Sequence, residues 1–168
     1  MTTATKATSV TEKQLVVFDL AGEAYGVDIG DVREIIRMQD ITRVPSTPSF
    51  VEGIINLRGK VIPVVDLRGR FNLEVGEQTK DNRIVVIDIK GKDIGMIVDA
   101  VTEVSRIAAD SVEPPSSFIT TADSEYLLGI AKLNNRLIIL LDLQRVFTDR
   151  ESDELTETAW ESAPTQAE

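Results

Sequence analysis

Apolar residues occur along the chain in runs of five to eight residues, and glycine-rich polar turns separate most of these runs. Branched aliphatic residues dominate the runs, since the 168 residues include 18 Val and 17 Ile. Such residues favour strands, whereas Gly and Asn between apolar runs favour tight turns. The pattern therefore predicts about ten strands, at residues 14–20, 23–29, 32–38, 53–57, 60–67, 83–89, 93–99, 102–107, 126–133 and 136–143. Little helix is expected beyond single turns at residues 29–31, 48–51, 67–71 and 143–147.

The sequence also contains an internal repeat. Residues 19–32 align with residues 88–101 at an offset of 69, and the first Asp, two glycines and the last Val are identical. Residues 53–71 align with residues 129–147 at an offset of 76. Each copy would contain a hairpin, a third strand and a second hairpin.

The repeat predicts the domain organisation. Five short twisted strands usually hide their edges by curling into a small barrel. We therefore expect an all-β fold of two five-stranded β-barrel subdomains packed side by side, at residues 14–75 and 80–148, with the first strand and the C-terminal turn open to sharing. Several strands are apolar at nearly every position, so both faces should be covered and the barrels should share an interface.

The two ends of the chain differ from this body in composition. Residues 1–13 are polar and predict a flexible arm. Residues 149–168 hold seven acidic residues and one basic residue, which supply six of the net ten negative charges and predict a flexible acidic tail. The N-terminus lacks the apolar stretch of a secretory signal, and no run approaches the roughly 20 apolar residues that span a bilayer. These features predict a cytoplasmic protein.

Composition excludes several classes of chemistry. The chain has no Cys and no His, so disulfides, Cys/His zinc sites and His-based or Cys-based catalysis are ruled out. A pI near 4.6 without a basic cluster argues against nucleic-acid binding. Glycine motifs that bind nucleotide phosphates are also absent from the sequence. No cofactor or metal is expected.

Three polar residues each allow two interpretations. Asp66 and Asp142 could form a catalytic carboxylate pair, but each ends a strand before Leu-x-x-x-Phe, which favours the N-cap of a helical turn. Arg58 precedes Gly59 in a tight hairpin turn, where it could be a solvated turn residue or could present its guanidinium to a carboxylate of a partner.

Two groups of apolar residues are candidates for contacts with other proteins. Phe118 and Ile119 follow two prolines, so they either fold back on their own barrel or form a stiff anchor for a partner. Repeat-related aliphatic residues could line a groove between the barrels; they are Val32, Ile35, Ile36, Val98 and Val101.

These motifs resemble the CheW family of chemotaxis coupling proteins. The resemblance rests on EAYGVDIGDVREI (23–35), on ITRVPSTPSFVEGIINLRGKVIPVVDLRGRF (41–71), on DIGMIVDAVTEV (93–104) and on EYLLGIAKLNNRLIILLDLQRVF (125–147). It implies two SH3-like barrels in an adaptor without enzymatic activity. The adaptor would link methyl-accepting chemotaxis receptors to the regulatory domain of the histidine kinase CheA, and would be recruited from the cytoplasm to membrane receptor arrays.

The resemblance also implies site residues. The receptor-binding groove would include Val27, Val32, Ile35, Val98 and Val101, with Arg58 at its rim. Kinase-binding residues would be Val44, Phe50, Leu67 and Phe118.

Two other interpretations remain open. One is a CheW-like adaptor for a different receptor–kinase pathway, such as pilus motility or development. The other is a small β-barrel enzyme or ligand carrier that uses Asp or Lys. A carrier should contain one roomy apolar cavity, whereas two small barrels should be filled by their own side chains.

Overall fold

The computed structural model describes residues 12–45, 51–71, 73, 78–114, 126–133 and 135–147. Within these residues the strands are β1 (Glu12–Leu20), β2 (Glu23–Asp28), β3 (Val32–Arg37), β4 (Val51–Leu57), β5 (Lys60–Asp66), β6 (Arg83–Ile89), β7 (Lys92–Val98), β8 (Ala100–Ala108), β9 (Leu127–Leu133) and β10 (Arg136–Leu141). A short helix, α1 (Leu67–Arg70), follows β5, and 3₁₀ turns occupy Ile29–Asp31 and Ala109–Ser111. The ten predicted strands are confirmed, with every boundary within two residues.

Some predicted segments lie outside the described residues. They are residues 1–11 of the predicted arm, the acidic tail at 149–168 and residues 48–50 of a predicted turn. The last two residues of the predicted arm belong to β1, which begins at Glu12. Among the described residues, no helix has the length and apolar character needed to cross a membrane.

The strands form two five-stranded sheets. Sheet A has the order β8-β1-β2-β10-β9, and sheet B has the order β3-β6-β7-β5-β4. Both sheets have the same topology, because each combines the first hairpin of one repeat copy with the third strand and second hairpin of the other. In each sheet the two hairpins meet through one parallel pair, β2 with β10 and β5 with β7.

This arrangement differs from the expected division into residues 14–75 and 80–148. Sheet B is built from one continuous stretch, residues 32–98, whereas sheet A combines strands from both ends of the chain. The chain crosses between the sheets at two corners, the 3₁₀ turn Ile29–Asp31 and the single residue Asp99. Neither corner is a hairpin, so β3 and β8 leave the sheets of the strands that precede them.

The chain beyond the outer strands β3 and β8 bends back to the opposite edge of its own sheet. Thr42 exchanges two backbone hydrogen bonds with Ile54 of β4, at 2.9 and 2.8 Å. Glu113 makes the same exchange with Ile130 of β9, also at 2.9 and 2.8 Å. These bridges bring the ends of each sheet together, although a continuous ladder of a closed barrel is not found among the described residues.

Three apolar cores explain why so many strands are apolar throughout. In β1, Leu15 and Val17 point into a core enclosed by sheet A, whereas Val16 and Phe18 point into a central core. Sheet B encloses a third core, to which Ile84 belongs. The central core draws side chains from both sheets, so the expected interface between the subdomains is present. Alternate residues of a strand thus enter different cores, and neither face of the strand requires polar side chains.

Candidate functional site

The aliphatic residues proposed for the groove differ in exposure. Val27 of β2 and Val98 of β7 are fully buried members of the central core. Val32 and Val101 are half-buried and pack against the same core. Ile35 is 38% exposed. The structure therefore brings four of the five predicted residues to one core, but only the half-buried and exposed ones can contact another molecule.

The outward faces of β3 and β8 are related by the repeat. On β3, Ile35 lies between the exposed Arg33 and Arg37. On β8, Val104 is 49% exposed and is followed two residues later by the exposed Arg106. Val104 is the residue at an offset of 69 from Ile35 and was missed in the sequence analysis. The offset alone could have identified it.

Arg58 lies in a tight turn that fixes its backbone. Arg58 and Gly59 have φ values of 53° and 86°, and both residues join β4 directly to β5. The Asn56 side-chain oxygen accepts a hydrogen bond of 2.7 Å from the Gly59 N–H. Two successive residues with positive φ match the type I′ turns of two-residue hairpins. The predicted need for positive φ at Gly59 is confirmed.

The guanidinium of Arg58 pairs with the carboxylate of Glu34 on β3. This contact joins the turn between β4 and β5 to the opposite edge of sheet B. The hydrogen bond and negative charge of Glu34 raise the pKa of Arg58, against a smaller effect of burial. The Arg58 side chain is nevertheless 68% exposed. Arg58 therefore fits neither earlier alternative alone. Its guanidinium already pairs with a carboxylate of the same chain, while most of its side chain remains exposed to solvent.

Further charges hold the same turn against its neighbours. Asp93 of β7 accepts a hydrogen bond of 2.9 Å from the Lys60 ammonium and also pairs with Arg33 of β3. Arg33 lies 3.3 Å from a second carboxylate, that of Asp88. Exposed ion pairs contribute little to stability individually, but Asp93 links Lys60, which follows the turn, to Arg33 of β3.

Asp66 and Asp142 are capping residues, as the motif analysis favoured. Asp66 accepts a 3.0 Å hydrogen bond from the backbone N–H of Arg68, and Asp142 accepts one of 3.0 Å from Gln144. Among the described residues, no group of three or more acidic side chains is placed to hold a metal ion.

Burial, followed by the charges of nearby carboxylates, raises the pKa of Asp31 at the first corner between the sheets.

A family model for the CheW-like domain matches residues 14–151. The chain belongs to the CheW family. Chemotaxis protein CheW of Treponema pallidum is 34% identical over 146 residues, which cover 84% of this chain and 86% of that protein. Chemotaxis protein CheW of Klebsiella aerogenes is 32% identical over 139 residues, covering 83% and 84%. The crystal structure of the scaffolding protein TtCheW from Thermoanaerobacter tengcongensis matches with a TM-score of 0.76 and 47% identity, covering 84% of this chain and 91% of that chain.

Family membership establishes the general function of the protein. It is a CheW-family chemotaxis coupling or scaffold protein and not an enzyme. The all-β prediction is confirmed by the two five-stranded sheets and by their likeness to TtCheW. The interpretation as an enzyme or ligand carrier is wrong.

The kinase-binding residues implied by the CheW resemblance are placed unevenly. Leu67, the first residue of α1, is fully buried in the central core. Val44 is half-buried and packs against that core. Phe50 and Phe118 lie outside the described residues. Leu67 can therefore support an interface only by packing beneath it.

Proposed function

We propose that this CheW-family protein couples methyl-accepting chemoreceptors to the histidine kinase CheA in signalling arrays. The observation that carries the receptor part is the repeat-related pair of exposed aliphatic residues, Ile35 on β3 and Val104 on β8. Apolar surface exposed on rigid strands is suited to a partner. Recruitment to the membrane would follow from receptor binding.

The receptor-binding surface consists of a contact layer and a supporting layer. We assign Ile35 and Val104 to the contact layer, together with the half-buried Val32 and Val101. Because fully burying a Val or Ile side chain is worth about 1.5–3 kcal/mol, covering the exposed parts of Ile35 and Val104 would contribute about 2 kcal/mol. The fully buried Val27 and Val98 form the supporting layer in the central core, against which Val32 and Val101 pack.

Charge favours a partner that carries acidic side chains next to apolar ones. Arg37 and Arg106 alternate with Ile35 and Val104 on the two outer strands, whereas Arg33 is already paired with Asp93 and Asp88. The Arg58 guanidinium is held near β3 by Glu34. Arginine forks bind carboxylates with two parallel hydrogen bonds. A helical receptor tip with apolar and acidic side chains fits this surface.

Kinase binding would use different faces of the same body. Val44, Phe50 and Phe118 are proposed to contact the regulatory domain of CheA, and the buried Leu67 is proposed to support that surface. Several moderate contacts made together give a stable array through effective concentration. Signals pass if receptor and kinase states favour different placements of their partners on the shared scaffold.

The receptor part is tested with two variants and two matched controls. Arg58→Ala and Val104→Asp should each weaken binding to a soluble receptor cytoplasmic fragment, measured by calorimetry, by about tenfold, or about 1.4 kcal/mol. Arg136→Ala removes an arginine that pairs with Asp19 within sheet A at 3.0 Å, and Leu137→Asp places a charge at another exposed aliphatic position; neither should change binding. Urea unfolding should differ from wild type by no more than about 1 kcal/mol for all four variants. Intact binding with a large loss of stability in Arg58→Ala would contradict the proposed role.

A further inference from the structure

Arg68 and Asp99 form a two-point ion pair. The Arg68 Nε lies 3.0 Å from Asp99 Oδ1, and its Nη2 lies 2.6 Å from Asp99 Oδ2. Both side chains are mostly buried. Although burial raises the pKa of Asp99, hydrogen bonds from Arg68 and the Ala21 backbone and the charge of Arg68 together hold it below its ordinary value. Paired hydrogen bonds of this kind fix direction as well as distance.

The pair connects the two sheets at the second corner. Arg68 follows β5 of sheet B, and the Asp66 cap fixes the backbone from which its side chain extends. Asp99 is the single residue between β7 of sheet B and β8 of sheet A. Its second carboxylate oxygen accepts a 2.8 Å hydrogen bond from the backbone N–H of Ala21, in the turn between β1 and β2 of sheet A. The Asp99 backbone N–H donates to the Asp19 carbonyl at 3.0 Å.

The repeat-related position has no such ion pair. Gln144 lies at the offset of 76 from Arg68, and its side-chain amide donates a 2.9 Å hydrogen bond to the backbone carbonyl of Asp88. The residue at the offset of 69 before Asp99 is Gly30, which has no carboxylate. Arg68 and Asp99 belong to different copies of the repeat, whereas Gln144 and Asp88 belong to the same copy, and only the link through Asp99 is ionic.

We propose that the Arg68–Asp99 pair is a positioning clamp that sets where β8 begins relative to sheet B. Val101 and Val104 follow Asp99 by two and five residues on the same strand. A shift at Asp99 would move both valines relative to Ile35 on sheet B, although neither Arg68 nor Asp99 belongs to the contact layer. The effect on receptor binding rests on the proposed function, whereas the effect on the relative placement of the sheets does not.

The mechanical effect is tested with spin labels, which the absence of native cysteine makes straightforward. Cysteines replace the exposed Leu137 on sheet A and the exposed Arg37 on sheet B, and pulsed electron resonance measures the distance between the attached labels. Arg68→Gln and Asp99→Asn should shift or broaden the distance distribution. Arg136→Gln removes an arginine–aspartate pair within sheet A and should leave the distribution unchanged.

Receptor binding gives a second measurement on the same variants. Because residues that couple two sites typically change binding by 0.5–2 kcal/mol, Arg68→Gln should weaken binding of the receptor fragment by about two- to thirtyfold. Arg68→Lys keeps the charge without the planar fork and should give an intermediate loss in binding and an intermediate change in distance. If Arg68→Gln or Asp99→Asn fails to fold, Arg68→Lys is the milder variant on which both measurements are made.

The outcomes separate the clamp from the proposed function. Distance distributions that match wild type in Arg68→Gln and Asp99→Asn would overturn the clamp. If Arg68→Lys is the only variant that folds, an unchanged distance distribution in that variant would overturn the clamp. Altered distances in a protein whose wild-type form does not bind the receptor fragment would support the clamp and count against the proposed function. Altered distances with unchanged receptor affinity would overturn the link between the clamp and the groove.

Discussion

Gly129 occupies a position in sheet A where the structure leaves no space for a side chain. A Cβ atom there would lie 2.5 Å from the Glu113 carbonyl oxygen and 2.5 Å from Val112 Cγ1. Glu113 forms the bridge with Ile130 that brings the end of sheet A back to β9. Gly53 is the repeat-related residue in sheet B, where a Cβ would overlap the Thr42 carbonyl oxygen. We predict that Gly129→Ala severely destabilises the protein.

The magnitude follows from two costs. Forcing an extra methyl group into a packed region costs about 1–3 kcal/mol, because a backbone carbonyl must move. Moving that carbonyl weakens the two hydrogen bonds of the bridge, which contribute about 1 kcal/mol each. The total is about 3–5 kcal/mol, compared with about 5–15 kcal/mol for the whole stability of a typical domain.

Urea unfolding followed by circular dichroism measures this loss. Gly59→Ala is the matched control, since Gly129 and Gly59 both have positive φ, at 159° and 86°, but a Cβ at Gly59 would meet nothing within 4 Å. Its cost should be limited to the left-handed backbone, about 1–2 kcal/mol. The urea concentration at the midpoint of unfolding should fall further for Gly129→Ala than for Gly59→Ala, while the dependence of the unfolding free energy on urea stays similar. Equal losses in the two variants would refute the reasoning that the bridge excludes a side chain.

Two further predictions concern charge and packing. Because the folded pKa of Asp99 is lowered, its contribution to stability is present above the ordinary Asp value of about 4 and is lost as pH falls through the folded value. When the free energy of unfolding is measured as a function of pH, it should therefore fall less below about pH 4 in Asp99→Asn than in wild type. Identical pH dependence in the two proteins would contradict this. Val98→Ala should lower the free energy of unfolding by about 2 kcal/mol because Val98 is fully buried. Val104→Ala, at a half-exposed position, should lower it by about 0.5 kcal/mol. Similar losses in the two variants would contradict the assignment of Val98 to the supporting layer and Val104 to the contact layer.

Local features of this protein were predictable because nearby residues determine them. The strands follow from short apolar runs, and the turn at Arg58 and Gly59 follows from a glycine that tolerates positive φ. The caps at Asp66 and Asp142 follow from carboxylates placed two residues before a backbone N–H that lacks a helical partner. Each of these features involves residues close in sequence, so the sequence pattern contains the necessary information.

The candidate site was predictable only in part. The resemblance to the CheW family pointed to residues on β3 and β8, among others, but it did not separate exposed residues from buried ones. Val27 and Ile35 are both aliphatic and both lie near the first corner, yet one is buried and the other is exposed. Exposure depends on which strands pack above a residue, and this information is not contained in its own segment.

Tertiary structure alone decided which strands share a sheet and which charges meet. Since β1 and its repeat-related strand β6 are apolar on both faces, hydrophobic periodicity could not show that the two copies exchange their first hairpins. The pairs Arg58–Glu34 and Arg68–Asp99 join residues that are 24 and 31 positions apart. Sequence by itself determined the strands, turns and caps through local sterics and hydrogen bonding. The exchange of hairpins and the long-range ion pairs depend on how the two sheets pack around the central core.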